Sequence, residues 1–390
     1  MRVAFIIASG GNQWLGGTNY FRGLFQALAL HDPQSVKPVV IAQPTPQKET
    51  SPTFPGVQII RSHLVRLRSL AYYLRKSVEY ASGRDLLLEG LFRRHQISIS
   101  SHGPALGNHS SIPSLCWIPD FQHLHLPEFF SKEDVCARTR QMMRMGERCT
   151  LMLLSSSSAR DDIARFMPQI LPKVRVLHFA PPITAEPMLP IEQLQSQYGF
   201  MGKYIFLPNQ YWAHKNHLTV IAALQLLKMQ GEKVQLISTG LTEDYRNPNH
   251  FTNILRAVEA GGLGDLYKIL GVIPYHDMAS LMYHSQAVIN PSLFEGWSTT
   301  VEEAKILEKR LLLSDIPVHR EQAQDHALYF SPQSPSSCAQ AIKTTWHANP
   351  VPVSPNYQQN AQAAAQEFCD NYCAILVEAM KLQQTFGRHS

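Results

Sequence analysis

One pattern constrains this chain more than any other. Short apolar runs of strand length alternate with helical stretches, and the alternation occurs twice. In the first half the runs fall at residues 3–8, 36–43, 57–61, 97–100, 114–118 and 151–155, with helical patterns near 19–30, 133–149 and 158–166. A second series places runs at 204–207, 234–239, 269–271, 287–290 and 311–314, with helices at 217–230, 251–260, 277–284 and 300–309 between them. Strands that alternate with helices form parallel βαβ units and an open, doubly wound sheet. Residues 174–190 are Pro-rich and read as a linker between the two series. The expected architecture is therefore α/β, with two Rossmann-like, doubly wound parallel-sheet domains at residues 1–185 and 186–369. A last helical pattern over 360–383 predicts a C-terminal helix, about 370–390, that packs back on the first domain. In such sheets ligands bind at the carboxyl ends of the strands, most naturally in a central cleft that the two domains face.

With 390 residues, each half is long enough to bury a core, which argues against a disordered chain or a disulfide-stapled miniprotein. No apolar run reaches the roughly 18 residues of a membrane-spanning helix. The N-terminal apolar run at residues 3–8 is too short for a signal peptide and reads as a buried strand. Six cysteines are scattered with no CxxC pair, so neither a zinc ribbon nor a disulfide framework is indicated. A cytoplasmic protein is the expectation.

Charge is shared unevenly. Residues 1–185 hold 21 Lys and Arg against 12 Asp and Glu, whereas the remainder hold 14 against 18. The densest basic stretch carries Arg61, Arg66, Arg68, Arg75, Lys76, Arg84, Arg93 and Arg94 among Leu and Tyr. It reads as a solvated helical face, or as a patch for peripheral contact with an anionic membrane or another acidic partner. Nucleic acid is not expected, because no binding module accompanies the stretch.

Four segments could carry chemistry. The first turn, residues 9–20, is Gly-rich but matches neither GxGxxG nor GxxxxGK[ST]. Gly16 and Gly17, set before a helix, suit either a tight turn or the approach of backbone N–H groups to a phosphate or sugar. Asp120, His123 and His125 follow a strand end in the first domain, as acid/base groups, hydroxyl ligands or packed loop residues. After the first strand of the second series come Asn209 and Lys215, the lysine placed to act as a point charge on a phosphate. His214 and His217 beside it lack a third ligand at zinc spacing, so no metal site is expected.

The most informative segment is NPSLFEGWSTTVEEAKILEKR, residues 290–310. A turn presents Glu295 and Gly296 at a helix start, and Thr299 and Thr300 each precede a Glu by three residues, a capping-box pattern. N–H groups at Trp297, Ser298 and Thr299 would meet a diphosphate with help from the helix dipole. Glu295 and Glu303 could accept hydrogen bonds from hydroxyls at either end of a nucleotide sugar, or be ordinary acids of a helix's first turns.

Together these segments resemble glycosyltransferase family 4, the retaining nucleotide-sugar transferases of GT-B fold, over nearly the whole chain. The likeness rests on Gly16-Gly17, the loop from Asn209 to Lys215, the E-x7-E pair Glu295 and Glu303, and the late segments SDIPVHRE and DHALYFSP. It implies that Glu295 contacts the donor sugar, Glu303 the ribose and Lys215 the diphosphate. It further implies a nucleotide-sugar donor, a glycan or lipid-linked acceptor in cell-surface polysaccharide synthesis, and no cofactor or metal. Three departures stand out. Asn209 takes the place of an Arg; Pro119-Asp120 replaces a His-Asp pair, with Asp120 by position, or His123, in the missing histidine's place; Ser298-Thr299-Thr300 replaces Gly-Leu-Pro. The rival readings are a nucleotide-sugar epimerase or phosphorylase of the same fold, and a non-catalytic sugar- or membrane-binding module.

Overall fold

The first strand shows how the residues build the fold. In β1 (Arg2–Ile6), Ala4 packs to one side with Val39, Ile41, Leu88 and Phe92. Phe5 points to the other, its ring 4.9 Å from that of Phe25. A strand apolar on both faces must lie inside a sheet covered by helices on both sides. The computed structural model describes residues 1–7, 15–44, 54–182, 187–350 and 355–386.

The first sheet has seven parallel strands in the order β3-β2-β1-β4-β5-β6-β7. After β1 these are β2 (Lys37–Ala42), β3 (Gln58–Arg61), β4 (Ile99–Ser101), β5 (Ser114–Ile118), β6 (Leu151–Leu154) and β7 (Val174–Val176). The second sheet is six-stranded and parallel, in the order β10-β9-β8-β11-β12-β13. Its strands are β8 (Ile205–Leu207), β9 (Leu236–Ser238), β10 (Tyr267–Ile269), β11 (Ala287–Asn290), β12 (Leu311–Ser314) and β13 (Ala327–Phe330). Apolar clusters cover both faces of this sheet: Val220, Leu224, Ile254 and Ile342 on one, and Leu194, Leu281, Val301 and Ala304 on the other. Both sheets are thus doubly wound.

The described residues fall into two compact units, Met1–Phe121 with Glu133–Pro182 and Ala363–Ser390, and Gln122–Lys132 with Ile183–Gln362. Most of the long helix Tyr357–Phe386 belongs to the first unit. There the Tyr372 hydroxyl donates to Ser101 Oγ at 2.8 Å, and Glu378 pairs with Arg175. Two details differ from the sequence expectation. Val174–Val176 is the edge strand β7, not the start of a linker; three residues are too few to show a strand period. Residues 122–132 pack with the second unit, because Arg246 holds this segment: its Nη1 donates to the Gln122 side chain at 3.0 Å and its guanidinium lies over the Phe130 ring.

Four cations of the basic stretch are ion-paired within the first unit. Arg75 pairs with the buried Asp85 at 2.7 Å, Arg84 and Arg93 with Glu89, and Lys76 with Glu79. A buried ion pair of this kind survives because each charge is matched and further hydrogen-bonded. Among the described residues no helix is long and apolar enough to cross a membrane.

Candidate functional site

In the second sheet β8 and β11 are neighbours, although two strands separate them in sequence. The chain winds outward in opposite directions from this pair, so a crevice forms beyond their carboxyl ends. Two loops meet there. The loop after β8 leads through Asn209 and Lys215 to the helix His217–Met229. The turn after β11 leads through Glu295 to the helix Thr299–Ile306.

Lys215 Nζ donates to Glu295 Oε1 at 2.6 Å, and both side chains are largely buried. Ser292 Oγ also donates to Glu295 Oε1, at 2.7 Å. Burial alone would raise the Glu295 carboxyl pKa. The positive charge of Lys215 and the hydrogen bonds from Lys215 and Ser292 outweigh it and hold the group below the ordinary carboxylate value. Glu295 is therefore an ionised acceptor at neutral pH, already paired with the cation expected to meet a diphosphate.

Asn209 is a brace in this arrangement. Its Nδ2 donates to Asn290 Oδ1 at 3.0 Å, and its Oδ1 accepts from Thr300 Oγ1 at 3.3 Å. It thereby ties the β8 loop to the β11 turn, and the backbone beneath is tight. Gly240 has φ 147°, and a Cβ there would lie 2.4 Å from the Asn209 carbonyl oxygen.

The helix start also differs in detail from the spacing argument. The cap is Ser298, whose Oγ accepts from Val301 N at 3.4 Å and from Asn290 Nδ2 at 2.9 Å. Thr299 and Thr300 are already helical, so neither forms the capping box that the threonine-to-glutamate spacing suggested. The Ser298 N–H donates to Gln322 Oε1 at 3.0 Å, so of the three backbone groups expected to face a phosphate, this one has a protein partner. Gln322 Nε2 closes the clasp on the Ser298 carbonyl and on Glu302. Gly296, Trp297 and Thr299 are half-buried in the same turn.

Glu303 faces a different environment. It is half-buried one turn into the helix and accepts from the Tyr275 hydroxyl at 2.8 Å. Burial raises its pKa to about 7, with the Tyr275 hydrogen bond pulling the other way. Two carboxylates eight residues apart thus sit on opposite sides of their ordinary pKa. His319, from the helix Pro317–Ala323, is fully buried near Glu295; burial lowers its pKa to about 4, so it is neutral, with Nδ1 held by Ser314.

The remaining expected residues are placed apart from this cluster. Gly16 and Gly17 lie inside the helix Leu15–His31 rather than in a turn before it, and the Gly-rich turn of residues 8–14 lies outside the described residues. Asp120 is half-buried just after β5 in the first unit. His123 belongs to the second unit, buried, with its ring edge-on to Phe130 at 6.4 Å. The two candidates for one role thus fall in different units. His125 packs on Phe294, beside Glu295, with ring centroids 4.9 Å apart. No group of three His, Cys, Asp or Glu that could hold a metal occurs among the described residues.

Sequence reasoning missed one group at the equivalent point of the first sheet. His102 directly follows β4, which neighbours β1, and has φ 56°. Its Nε2 meets the Tyr20 hydroxyl at 2.6 Å and its Nδ1 meets Ser101 Oγ at 2.8 Å. Burial lowers its pKa to about 3, leaving a neutral imidazole at a strand's carboxyl end. A lone His-Gly step after a short apolar run was the available signal.

The sequence profile of the family described as "Glycosyl transferases group 1" matches residues 192–367. The serotype-specific mannosyltransferase WbdA of Escherichia coli is 33% identical over 107 residues, 27% of this chain and 13% of that protein. The chain therefore covers a small part of WbdA's length. The O-antigen chain mannosyltransferase RfbU of Salmonella typhimurium is 22% identical over 294 residues, 75% of each chain. Among solved structures, Anabaena Alr3699/HepE in complex with UDP and glucose superposes with a TM-score of 0.64 at 16% identity, covering 100% of this chain and 99% of that one. At that identity the likeness concerns the fold, and the fold is GT-B.

Proposed function

We propose that this chain is a transferase of the glycosyltransferase family 4 type, and that it moves a hexosyl unit from a nucleoside diphosphate sugar to a hydroxyl of a glycan or lipid-linked acceptor, with retention. The observation that carries the reading is the Lys215–Glu295 pair at the β8/β11 crevice, with Glu303 one helical turn away. In the proposed step the bond between the anomeric carbon and the diphosphate oxygen breaks. A bond to the acceptor oxygen forms on the same face, and the acceptor proton leaves with the departing phosphate or to solvent. Negative charge builds on the diphosphate, where Lys215 and the start of the helix Thr299–Ile306 can receive it. Glu295 accepts hydrogen bonds from the sugar hydroxyls and Glu303 from the ribose. Asp120 or His123 would take the remaining place at the sugar, and the acceptor would be held mainly by the first unit.

Because WbdA and RfbU are named as mannosyltransferases, a mannosyl unit is the first sugar to test, and growth of a cell-surface polysaccharide the first setting. UDP in the HepE complex supports a nucleoside diphosphate as the carrier. The deciding experiment incubates the chain with UDP-, GDP- and ADP-hexoses, with and without a hydroxyl acceptor. Free nucleoside diphosphate that appears only with acceptor, and a product whose anomeric configuration matches the donor's, is the expected result. Conversion of donor without acceptor into a second nucleotide sugar would assign the site to epimerisation. Undiminished turnover after chelation is expected, since Lys215 supplies the charge.

A further inference from the structure

The helix Leu70–Ser82 in the first unit is turned inside out. Its buried residues are Arg75 and Glu79. Its outward residues include Leu70 at 90% exposure, Tyr80 at 87%, Leu74 at 59% and Tyr73 at 56%, and Leu67 in the preceding turn is 64% exposed. At 3.6 residues per turn, positions 70, 73, 74 and 77 share one side and positions 75 and 79 lie opposite. The inward charges are fully matched: Arg75 bonds Asp85 and the Leu64 carbonyl, while Glu79 takes Lys76 and Arg148. Ser69 caps the helix by accepting from Tyr72 N at 3.1 Å. The charged side is therefore held in place by specific partners, and among the described residues nothing covers the apolar side. Isolated exposed leucines are ordinary, but a contiguous Leu and Tyr face marks an interaction surface.

The charge around this face selects its partner. Arg75, Lys76, Arg84 and Arg93 are ion-paired internally, as described above. Arg66 and Arg68 are not ion-paired among the described residues; both are exposed on the turn that carries Leu67. Leu for the acyl boundary, Tyr for the headgroup level and Arg beside phosphates is the composition of a helix that lies in a membrane interface. We propose that this face docks the first unit on an anionic lipid bilayer, with Leu67, Leu70, Tyr73 and Leu74 entering the interface and Arg66 and Arg68 on headgroup phosphates. The inference narrows the basic stretch to the two exposed cations beside the apolar face and adds the apolar contact that charge alone did not reveal. It stands apart from the transferase reading, because docking is measured without any sugar donor.

The test is co-sedimentation of the full chain with vesicles of phosphatidylcholine alone and of phosphatidylcholine mixed with phosphatidylglycerol. Wild type should bind the mixed vesicles and bind the neutral ones weakly. Leu70→Ser with Leu74→Ser should lower partitioning at least about tenfold, as expected for two apolar side chains kept out of the interface. Arg66→Gln with Arg68→Gln should lower it about fivefold per cation and remove most of the salt sensitivity. All four substitutions are on exposed side chains, and unchanged circular dichroism and thermal unfolding establish that each variant is folded. Wild type that stays in the supernatant, or variants that sediment like wild type, would overturn the proposal. Concentration-dependent dimerisation abolished by the same leucine substitutions, without vesicle binding, would assign the face to a second copy of the chain.

Discussion

Glu295 and Glu303 are identical side chains on consecutive pieces of one turn and helix, and the protein places them in opposite electrostatic states. Glu295 meets a buried ammonium and a serine hydroxyl, which hold it ionised below its ordinary range. Glu303 meets a phenol hydroxyl against the cost of burial, and its pKa rises to about 7. The difference shows that spacing brings two carboxylates to one crevice, while their neighbours decide what each can do there. A permanently charged Glu295 suits a place where charge changes during reaction. A carboxylate that titrates near neutrality suits a hydroxyl ligand whose binding itself draws the proton off.

The most drastic way to break the contrast is to remove the cation. Lys215→Met would leave Glu295 buried and unpaired. Breaking a buried pair from one side costs about 3–5 kcal/mol, and urea unfolding at neutral pH should show a loss of that order. The sign with pH follows from the direction of the shift. With its folded pKa depressed, Glu295 contributes stability above its unfolded pKa and loses it as pH falls through the folded value. In the variant that contribution is absent, so the gap between wild type and Lys215→Met should close in acid. A gap that is constant with pH would mean that the pair is not what stabilises the turn.

The second comparison separates the carboxylates directly. Glu295→Gln should lower kcat by about tenfold to more than a hundredfold, the range for one hydrogen bond to a charged group. It should leave binding of the free nucleoside diphosphate at or above wild type, because Lys215 is then released from its partner. Glu303→Gln should raise KM and weaken nucleotide binding with kcat near wild type, as expected when an interaction common to ground and transition states is removed. Steady-state kinetics with a full donor titration, together with calorimetry on the nucleotide, reads both. If both variants bind and turn over like wild type, the pair belongs to the helix start alone.

How much of this was legible in the chain depends on whether the contact was local. The turn after β11 and its two glutamates were visible because they lie within one short segment. The alternation of strand and helix was visible for the same reason. The Lys215–Glu295 pair was not, since it requires β8 and β11 to be neighbours although β9 and β10 intervene in sequence. Ser298 displaced Thr299 and Thr300 as the cap because Asn290 and Gln322, from two other segments, fix its backbone and hydroxyl. The pairing inside the basic stretch was hidden for a related reason. The stretch's charge was countable, but Asp85 and Glu89 had to be seen in place before Arg75, Arg84 and Arg93 could be counted as paired. The reversed helix Leu70–Ser82 lay hidden in the same way, because a period of 3.6 marks an apolar side without stating that it faces the core.

A milder perturbation uses pH on the intact protein. With its pKa raised to about 7, Glu303 is mostly protonated at pH 6 and mostly ionised at pH 8. Ribose hydroxyls need an acceptor, so nucleoside diphosphate affinity should rise by about tenfold between those values, following the ionised fraction. Glu303→Gln should flatten this profile. The stability trend runs opposite to that of Glu295. A carboxyl raised in the folded state destabilises it as pH climbs from the unfolded value toward about 7. A steep profile that persists in Glu303→Gln would point to the nucleotide's own phosphate as the titrating group.

The finest adjustment is at Tyr275, whose hydroxyl donates to Glu303 Oε1 at 2.8 Å and favours the ionised form. Tyr275→Phe removes the donor and keeps the ring. Without it burial acts unopposed, so the midpoint of the binding profile should move up by roughly one pH unit, the equivalent of one hydrogen bond to a charged acceptor. Well above that midpoint the carboxylate is ionised in both proteins, and nucleotide affinities should converge. Glu295 has its own partners, so kcat should be unaffected. A reduced affinity at every pH would mean that Tyr275 touches the nucleotide itself, and a lowered kcat would mean that the two carboxylates are not independent.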